Sequence, residues 1–592
     1  MILSLSWHPK VRVSIGLVLW LISAVAAGQA APAAPPFADV LPATTAVCIW
    51  SEDARELTAR WQQTALFQLY AADAMRPFWD DVREKRGGLL PNDRLGLSWD
   101  DLVAVAAGSW VLCYDLDAES TGTLLLIDVT GNEDEAAAAL LRVQQNWKQR
   151  GLTVRETRRS SEQVYTVESD GEHRFAFIRG ALLCLTDQSR LVDHVLAPQR
   201  GESLASSEFG QAIRGAATSP PRGALQFLLD PWRLARTAAH SDSPQAVNRV
   251  AFYERHGFSA IQAMLGHIVF REGDSDAEFT VRVPVRFPLS DAAAMLSFAA
   301  SRDFALPPLA PQAPVGVSCF HWDLRRVFQA YGFIYDDVYG EDYAGAFDDL
   351  LNVMAEDPDG PQVDLRAELI HLLRPKITRF HDYRGTRTES NPTGRREIWM
   401  AESTNPGKSV RAVEKFFVGD PDVTSSEIKG VRIWHSRTAA PLLGGDPENP
   451  LSVSLAALCV MDNHLVLATD RQLLQELAAQ TISNLTPAGS EWQAVSDAPC
   501  IAQTWRNMVA VGQNLHDRLA QAGPSPAGSW EERLLWHLLS RPTENGRVWD
   551  IEGRRLPPFS TIRELFGFEL MEAGIDRQGW RLQIRLTQPD GR

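Results

Sequence analysis

The chain has 592 residues, 45% of them hydrophobic and 22% charged, the proportions of a globular protein rather than a disordered one. Its formal charge of −16 argues against binding a phosphate backbone, which takes clustered Lys and Arg. The length suggests about three domains, or two large ones.

At the N-terminus, Lys10 and Arg12 precede the apolar run Val13 to Ala27, and small residues follow it. That order is the grammar of a secretory signal peptide, placed over residues 1–30. The run is short beside the roughly 20 apolar residues of a membrane span. The expectation is an exported protein, periplasmic or extracellular. Only an uncleaved segment would anchor it and bring it into membrane contact. No Cys follows the run, so a lipid anchor is not expected.

Further along, Ala46 to Asp53 (AVCIWSED) reads as a strand entering a helix. Ser98 with Asp100 and Asp101 reads as a helix start, where acids meet the positive end of the dipole. Thr123 to Leu141 is a strand that passes through Gly131 and Asn132 into a helix. Next come two apolar runs flanking Gly180-Ala181, a hairpin signature with Gly at the first turn position. A helix follows, with Asp187 as its expected cap and Leu191, Val192 and Val195 as one apolar stripe. Phe258 to Gly266 (FSAIQAMLG) leads to an alternating strand, Glu278 to Val285. An Ala-rich helix around Asp291 to Ala300 and the Pro-rich stretch Phe304 to Pro314 form a connector.

The same order then recurs. Gly316 to Asp323 (GVSCFHWD) resembles Ala46 to Asp53 at an offset of 270. Glu397 to Phe416 parallels Thr123 to Leu141. Ala457 to Leu477 matches Phe175 to Val195 without a gap at an offset of 282, with Asp462-Asn463 at the turn and Thr469 in the place of Asp187. Phe559 to Gly567 (FSTIRELFG) lies over Phe258 to Gly266 at 301, followed by the strand Trp580 to Leu586. Four stretches in one order point to a tandem domain duplication, with a period far beyond solenoid repeats. The expected organisation is a first α+β half over 41–288, a helix and Pro-rich linker over 289–313, and a second α+β half over 314–589. In each, helices cover one face of a largely antiparallel sheet.

Chemistry is sparse. The sequence has no P-loop, dinucleotide fingerprint, HExxH, GxSxG or complete EF-hand loop. Ser426 to Lys429 matches SxxK without its companion motifs, and reads as coincidence. Asp357, Asp359 and Gly360 suggest a calcium turn, but Pro361 and Val363 interrupt the alternation of oxygen ligands, so a plain turn is expected. Tyr335 to Leu351 is the most acidic-aromatic stretch. Asp336, Asp337, Glu341, Asp342, Asp348 and Asp349 could gather on a hard cation. The preferred reading is a solvated acidic face, with Val338, Phe347, Leu350 and Leu351 in a helix core. His371 and His381 are too loosely spaced for a ligand pair, and His194 reads as a surface or cap residue. Trp50, Trp322, Trp399, Trp434 and Trp580 read as packing residues. Ser529 to Leu539 opens on a capping box, Ser529 to Glu532, and carries an apolar stripe. Cys48, Cys113, Cys184, Cys319, Cys459 and Cys500 form no CxxC; buried strand thiols are the preferred reading, with bridges the alternative. No catalytic residue and no cofactor is assigned, and the metal question stays open.

Leu41-Pro42, the strand after it and Trp61-Gln62-Gln63-Thr64 resemble the opening of an uncharacterised family of exported bacterial proteins. Leu95 to Leu112 and the hairpin at Gly180 are similar as well. The resemblance implies export and this fold, and transfers no catalytic residue. The expected function is an exported, non-enzymatic binding or scaffold protein whose partner is an unknown protein or apolar ligand, not nucleic acid. The alternatives are a carrier of an apolar ligand such as lipid and a divergent metal-dependent hydrolase.

Overall fold

The computed structural model describes residues 35–587 apart from 87–94, 118–120, 170–171, 198–201, 215–220, 222, 243, 273–274, 312, 341–342, 389–390, 392, 438–454, 481–498, 522, 525–529 and 544–545. The signal segment over 1–30 lies outside them.

Ten strands come from the first half: β1 (Thr45–Ser51), β2 (Trp110–Leu116), β3 (Thr121–Asp128), β4 (Val154–Arg159), β5 (Glu162–Ser169), β6 (Glu172–Arg179), β7 (Leu182–Thr186), β8 (Leu225–Leu229), β9 (Met264–Glu272) and β10 (Ser275–Pro284). They pair in the order β4-β5-β6-β7-β3-β2-β1-β8-β9-β10, always antiparallel. The second half contributes β11 (Gly316–His321), β12 (Leu373–Asp382), β13 (Arg396–Ser403), β14 (Val423–Ile428), β15 (Val431–Ser436), β16 (Ala457–Met461), β17 (His464–Ala468) and β18 (Ala502–Asn507). After a small separate hairpin, β19 (Arg541–Thr543) and β20 (Gly546–Val548), it ends with β21 (Phe568–Asp576) and β22 (Gly579–Thr587). These pair as β14-β15-β16-β17-β13-β12-β11-β18-β21-β22, again antiparallel throughout. The two orders are the same. The last strand of each set, β10 and β22, pair with one another, so all twenty form one sheet.

Helices cover both faces of each sheet, not one as the alternation suggested. The main ones in the first half are α1 (Ala54–Trp61), α2 (Arg76–Arg86), α3 (Trp99–Val105), α4 (Glu133–Gln149), α5 (Ser189–Leu196), α6 (Pro231–Asp242) and α7 (Pro244–Arg255). Ala136, Ala139, Val143 and Trp147 of α4 pack with Ile49, Leu112, Leu125 and Ile127 on one face. On the other, Leu191, Val192 and Val195 of α5 meet Cys48, Val111, Leu124 and Leu126. A continuous apolar run such as Leu124 to Ile127 is the mark of a strand buried on both sides. The second half has α8 (Leu324–Tyr339), α9 (Ala346–Glu356), α10 (Pro406–Phe417), α11 (Arg471–Ala479), α12 (Met508–Gln521), α13 (Trp530–Leu539) and α14 (Phe559–Ile562). There α10 takes the place of α4, packing Val413 and Phe417 on Ala401 and Trp434. Similarly α11 takes that of α5, packing Leu473, Leu474 and Leu477 on Val466 and Cys459.

The hairpins turn as their residues require. Gly180 has φ 55, while Asp462 and Asn463 have φ 46 and 62, values that a two-residue turn needs and that Gly, Asp and Asn tolerate. The caps differ from expectation. Asp187 and Thr469 do not cap the helices that follow them. Asp187 accepts from Thr123 N at 2.7 Å, and Thr469 Oγ1 accepts from Glu397 N at 2.9 Å. Both tie the hairpin exit to the neighbouring strand. Asp470 is the cap of α11, accepting from Leu473 N at 2.8 Å.

The connector is not a free spacer either. Asp291–Leu296 is a short 3-10 helix, and Phe304, Leu309 and Ala310 are buried in the second half's core. Among the described residues, no helix is long and apolar enough to cross a membrane.

Candidate functional site: an acidic-aromatic helical hairpin

Between β11 and β12 the chain makes the helical pair α8 and α9. Asp323 caps α8, accepting from Arg326 N at 3.2 Å. The helix ends at Gly340. Asp336, in its last turn, then accepts from Gly345 N and Phe347 N, each at 2.8 Å, and so fixes the start of α9. Gly345, at φ 117, occupies a conformation that a side chain would strain. Phe347 is the buried anchor: its ring lies 5.3 Å from Phe328, 5.6 Å from Tyr331 and 5.4 Å from Tyr335.

The outer side is unusual. Residues 327–365 contain ten Asp or Glu and no Lys, Arg or His. The described surface has thirteen exposed large hydrophobic side chains, and seven lie between Tyr331 and Val353: Tyr331, Phe333, Val338, Tyr339, Tyr343, Leu350 and Val353. The expected helix core is therefore half right. Phe347 and Leu351 are buried, but Val338 and Leu350 face water, because the hairpin packs on one side only.

The acids do not converge. Asp337 meets Arg255 and His256 at 3.0 Å each, and those two hydrogen bonds hold its carboxyl below the usual range. Asp348 pairs with Arg366, and Asp349 accepts from the Tyr343 hydroxyl at 3.1 Å. Glu341 and Asp342 lie outside the described residues. Among the described residues, no group of three or more His, Cys, Asp or Glu could hold a metal ion. Burial, then the neighbouring Tyr339, raises the Tyr331 phenol, and the bond to Asp349 raises that of Tyr343. The tyrosines therefore present neutral hydroxyls and π faces. Such faces beside carboxylates suit Lys and Arg side chains, through cation–π contact and charge-assisted hydrogen bonds.

The other residues singled out in the sequence serve packing and turns. Ser426 lies in edge strand β14, while Lys429 sits in the next turn and donates to Ala479 O at 2.5 Å. Asp357 accepts from Asp359 N at 2.9 Å, an ordinary Asx turn. His371 is in a short 3-10 helix and His381 is buried in β12. His194 is half-buried near the end of α5, and burial lowers it. Ser98 caps α3 as expected, accepting from Asp101 N at 3.1 Å, and Asp101 pairs with Arg142. Trp50, Trp434 and Trp580 are buried. Trp322 and Trp399 are half-buried and donate to Met295 O at 2.6 Å and Glu397 at 3.2 Å. Ser529 of the expected capping box lies outside the described residues. All six cysteines are buried and unbridged.

Sequence reasoning missed a buried charge network at one end of the second sheet. Arg506 of β18 bonds Glu569 at 3.2 Å and Glu531 of α13. Arg379 and Arg395 hold Glu397 at 2.6 Å each, and Arg396 joins Asp382 at 2.8 Å to Glu476 at 3.2 Å, with Arg384 on Asp382. Burial pushes the Glu397 carboxyl up, but Arg395 and Arg379 together bring it below its ordinary value. Burial, reinforced by Arg395, holds His381 neutral, far below its usual range. Five arginines face Glu397, Asp382, Glu476, Glu531 and Glu569, with Asp470 3.9 Å from Arg396, so the charges are paired within the network. The signal was available in Glu531 and Glu532, two acids at the head of a helix with an apolar stripe. Both are buried.

A cleft of about 300 Å³ runs beneath the connector, lined by Leu306, Pro307, Lys376, Met400, Glu402 and His464. Lys376 pairs with Asp303 at 2.9 Å and Glu402 with Arg374 at 3.2 Å, and Asp462 also lines the cleft.

No protein-family model and no curated protein matches the chain. Solved structures similar to it include crystal forms I and IV of TP0453, at 8% and 10% identity and a TM-score of 0.21. The matches cover 42% and 43% of this chain and 79% and 81% of theirs. A likeness at that level carries no argument about fold or function.

Proposed function

We propose that the chain is an exported, non-enzymatic binding or scaffold protein that receives a cationic polypeptide on α8 and α9. The observation that carries the reading is the concentration of seven of thirteen exposed large hydrophobics on one hairpin that lacks any Lys, Arg or His between 327 and 365. Exposed aromatics concentrated on one element favour a protein interface. The one-signed charge beside them favours a partner rich in Lys and Arg.

The frame that holds the hairpin is a tandem duplication. The shared strand order and the matched sequence stretches support it, as does the joint. Aligning the two closing hairpins on their two-residue loops places Phe279 with Gln583 and Thr280 with Ile584. The sheet pairs Phe279 with Ile584 and Thr280 with Gln583, which puts a local two-fold between these pairs. The N-terminal grammar and the Leu41-Pro42 opening support export and kinship with the exported family.

The test is titration of the full chain with decalysine, with decaglutamate as control. Saturable binding that weakens with salt, and that is lost in Tyr339→Ser/Tyr343→Ser, is expected. Equal binding by the variant would remove the hairpin from the account. Fractionation of the native host checks export separately, and recovery from the cytoplasm alone would contradict it.

A further inference from the structure

We propose that Cys48 and Cys113 are a disulfide-forming pair, closed into a cross-strand bridge by exchange with an exogenous disulfide as the first sheet assembles. The two residues face each other directly across β1 and β2, and their Sγ atoms are 3.2 Å apart. The backbone there suits a bridge. Ala46 O accepts from Asp230 N at 2.8 Å, so even-numbered residues of β1 direct their polar groups toward β8. Asp128 N donates to Ser109 O at 2.9 Å, so odd-numbered residues of β2 direct theirs toward β3. Cys48 and Cys113 therefore share no backbone hydrogen bond. Such a pair brings its Cα atoms to about 4.5 Å, within the roughly 4.4–6.8 Å that bridges span. Other thiols are differently placed: Cys184 Sγ lies 3.7 Å from Leu182 O, and Cys319 Sγ lies 3.9 Å from Thr378 Oγ1.

The step balances with a low-molecular-weight disulfide as oxidant. One Cys thiolate attacks it, forming a mixed disulfide and releasing one reduced thiol. The second Cys thiolate then attacks the protein sulfur and releases the other. Two thiol hydrogens leave as protons, and two electrons reduce the oxidant. Both side chains are fully buried, and burial raises the Cys113 thiol, so the folded dithiol is shielded and unreactive. Closure therefore accompanies the pairing of β1 with β2, which joins points 65 residues apart, before the core closes over the thiols.

The supply of oxidant in the native setting rests on the export reading; the pairing does not. The test separates them by producing the full chain in one host with a reducing cytoplasm and one with an oxidising cytoplasm. Thiols are trapped with iodoacetamide in denaturant, and linked peptides are mapped by mass. From the oxidising host, four alkylated cysteines and a Cys48–Cys113 peptide pair are expected, against six alkylated from the reducing host. In Cys48→Ser the linked peptide disappears and five cysteines alkylate. Six free thiols in the oxidising host, or a bridge between any other pair, would overturn the proposal, whatever the fate of the N-terminal segment.

Discussion

The insertion between the first two strands of each sheet meets a different end in the two halves. In the first half, Met75, Phe78 and Val82 of this insertion are covered by Leu539, Ile551, Phe559 and Ile562 of the second. In the second half, α8 anchors through Asp337 to Arg255 and His256, and leaves Tyr339, Tyr343 and Val353 in water. The same position in the strand order is thus a structural clasp in one half and an open surface in the other. A second contrast runs beside it. Strand β8 of the first half is LQFLL, whereas β18 carries Arg506 into a buried ion cluster. The sheets share their order, and the differences lie where side chains meet covering helices.

The largest expected effect attacks that second contrast. Arg506→Met leaves Glu531 and Glu569 buried together and should cost about 3–5 kcal/mol in urea unfolding. Adding Glu531→Gln and Glu569→Gln should recover most of it. If Arg506→Met alone were neutral, the cluster would not be a structural ion network.

Next comes acid. His267 of β9 is buried and its pKa is pushed down to about 4 by burial, below an unfolded value near 6.5. Between those values the unfolded chain binds the proton and the folded one does not. Stability is therefore full above about pH 6.5 and falls as pH drops toward 4, by on the order of 3 kcal/mol. The matching strand β21 has no His, but His381 of β12, held neutral by burial, gives the second half a weakness of the same sign. His267→Gln should flatten that part of the pH profile, and an unchanged profile would count against it.

A smaller effect sharpens the first contrast. Asp336→Ala removes the carboxylate that accepts from Gly345 N and Phe347 N, and should cost about 1 kcal/mol by thermal unfolding. Smallest of all, Tyr339→Ser/Tyr343→Ser should change stability by under about 0.5 kcal/mol while removing decalysine binding. A large loss of stability would mean that these rings are covered in the native fold.

Much of the frame was legible because its signals are local. Gly180 and Asp462-Asn463 announce turns whatever they pack against, and apolar stripes such as Leu473, Leu474 and Leu477 announce a buried helix face. What failed depended on distant partners. Asp187 and Thr469 have capping chemistry, but a strand edge within reach takes their oxygen instead. Val338 and Leu350 fit a helix core by spacing, yet no element covers that side of the hairpin among the described residues. Nothing around Arg379 or Arg396 in the sequence places Glu397, Asp382 and Glu476 on them, because the partners meet only once β12 pairs with β13 and α11 packs. The acidic-aromatic stretch itself stood out in the sequence, whereas the exposure of its rings is a tertiary fact.

The most direct measurement places a photo-crosslinking residue at Tyr339 and, separately, at Leu141, an exposed apolar position on the first half, in the native host. The account predicts a discrete, salt-sensitive adduct from position 339 that maps to a Lys- or Arg-rich segment of a second polypeptide, and none from 141. Adducts of equal yield from both positions, or none from 339, would contradict it.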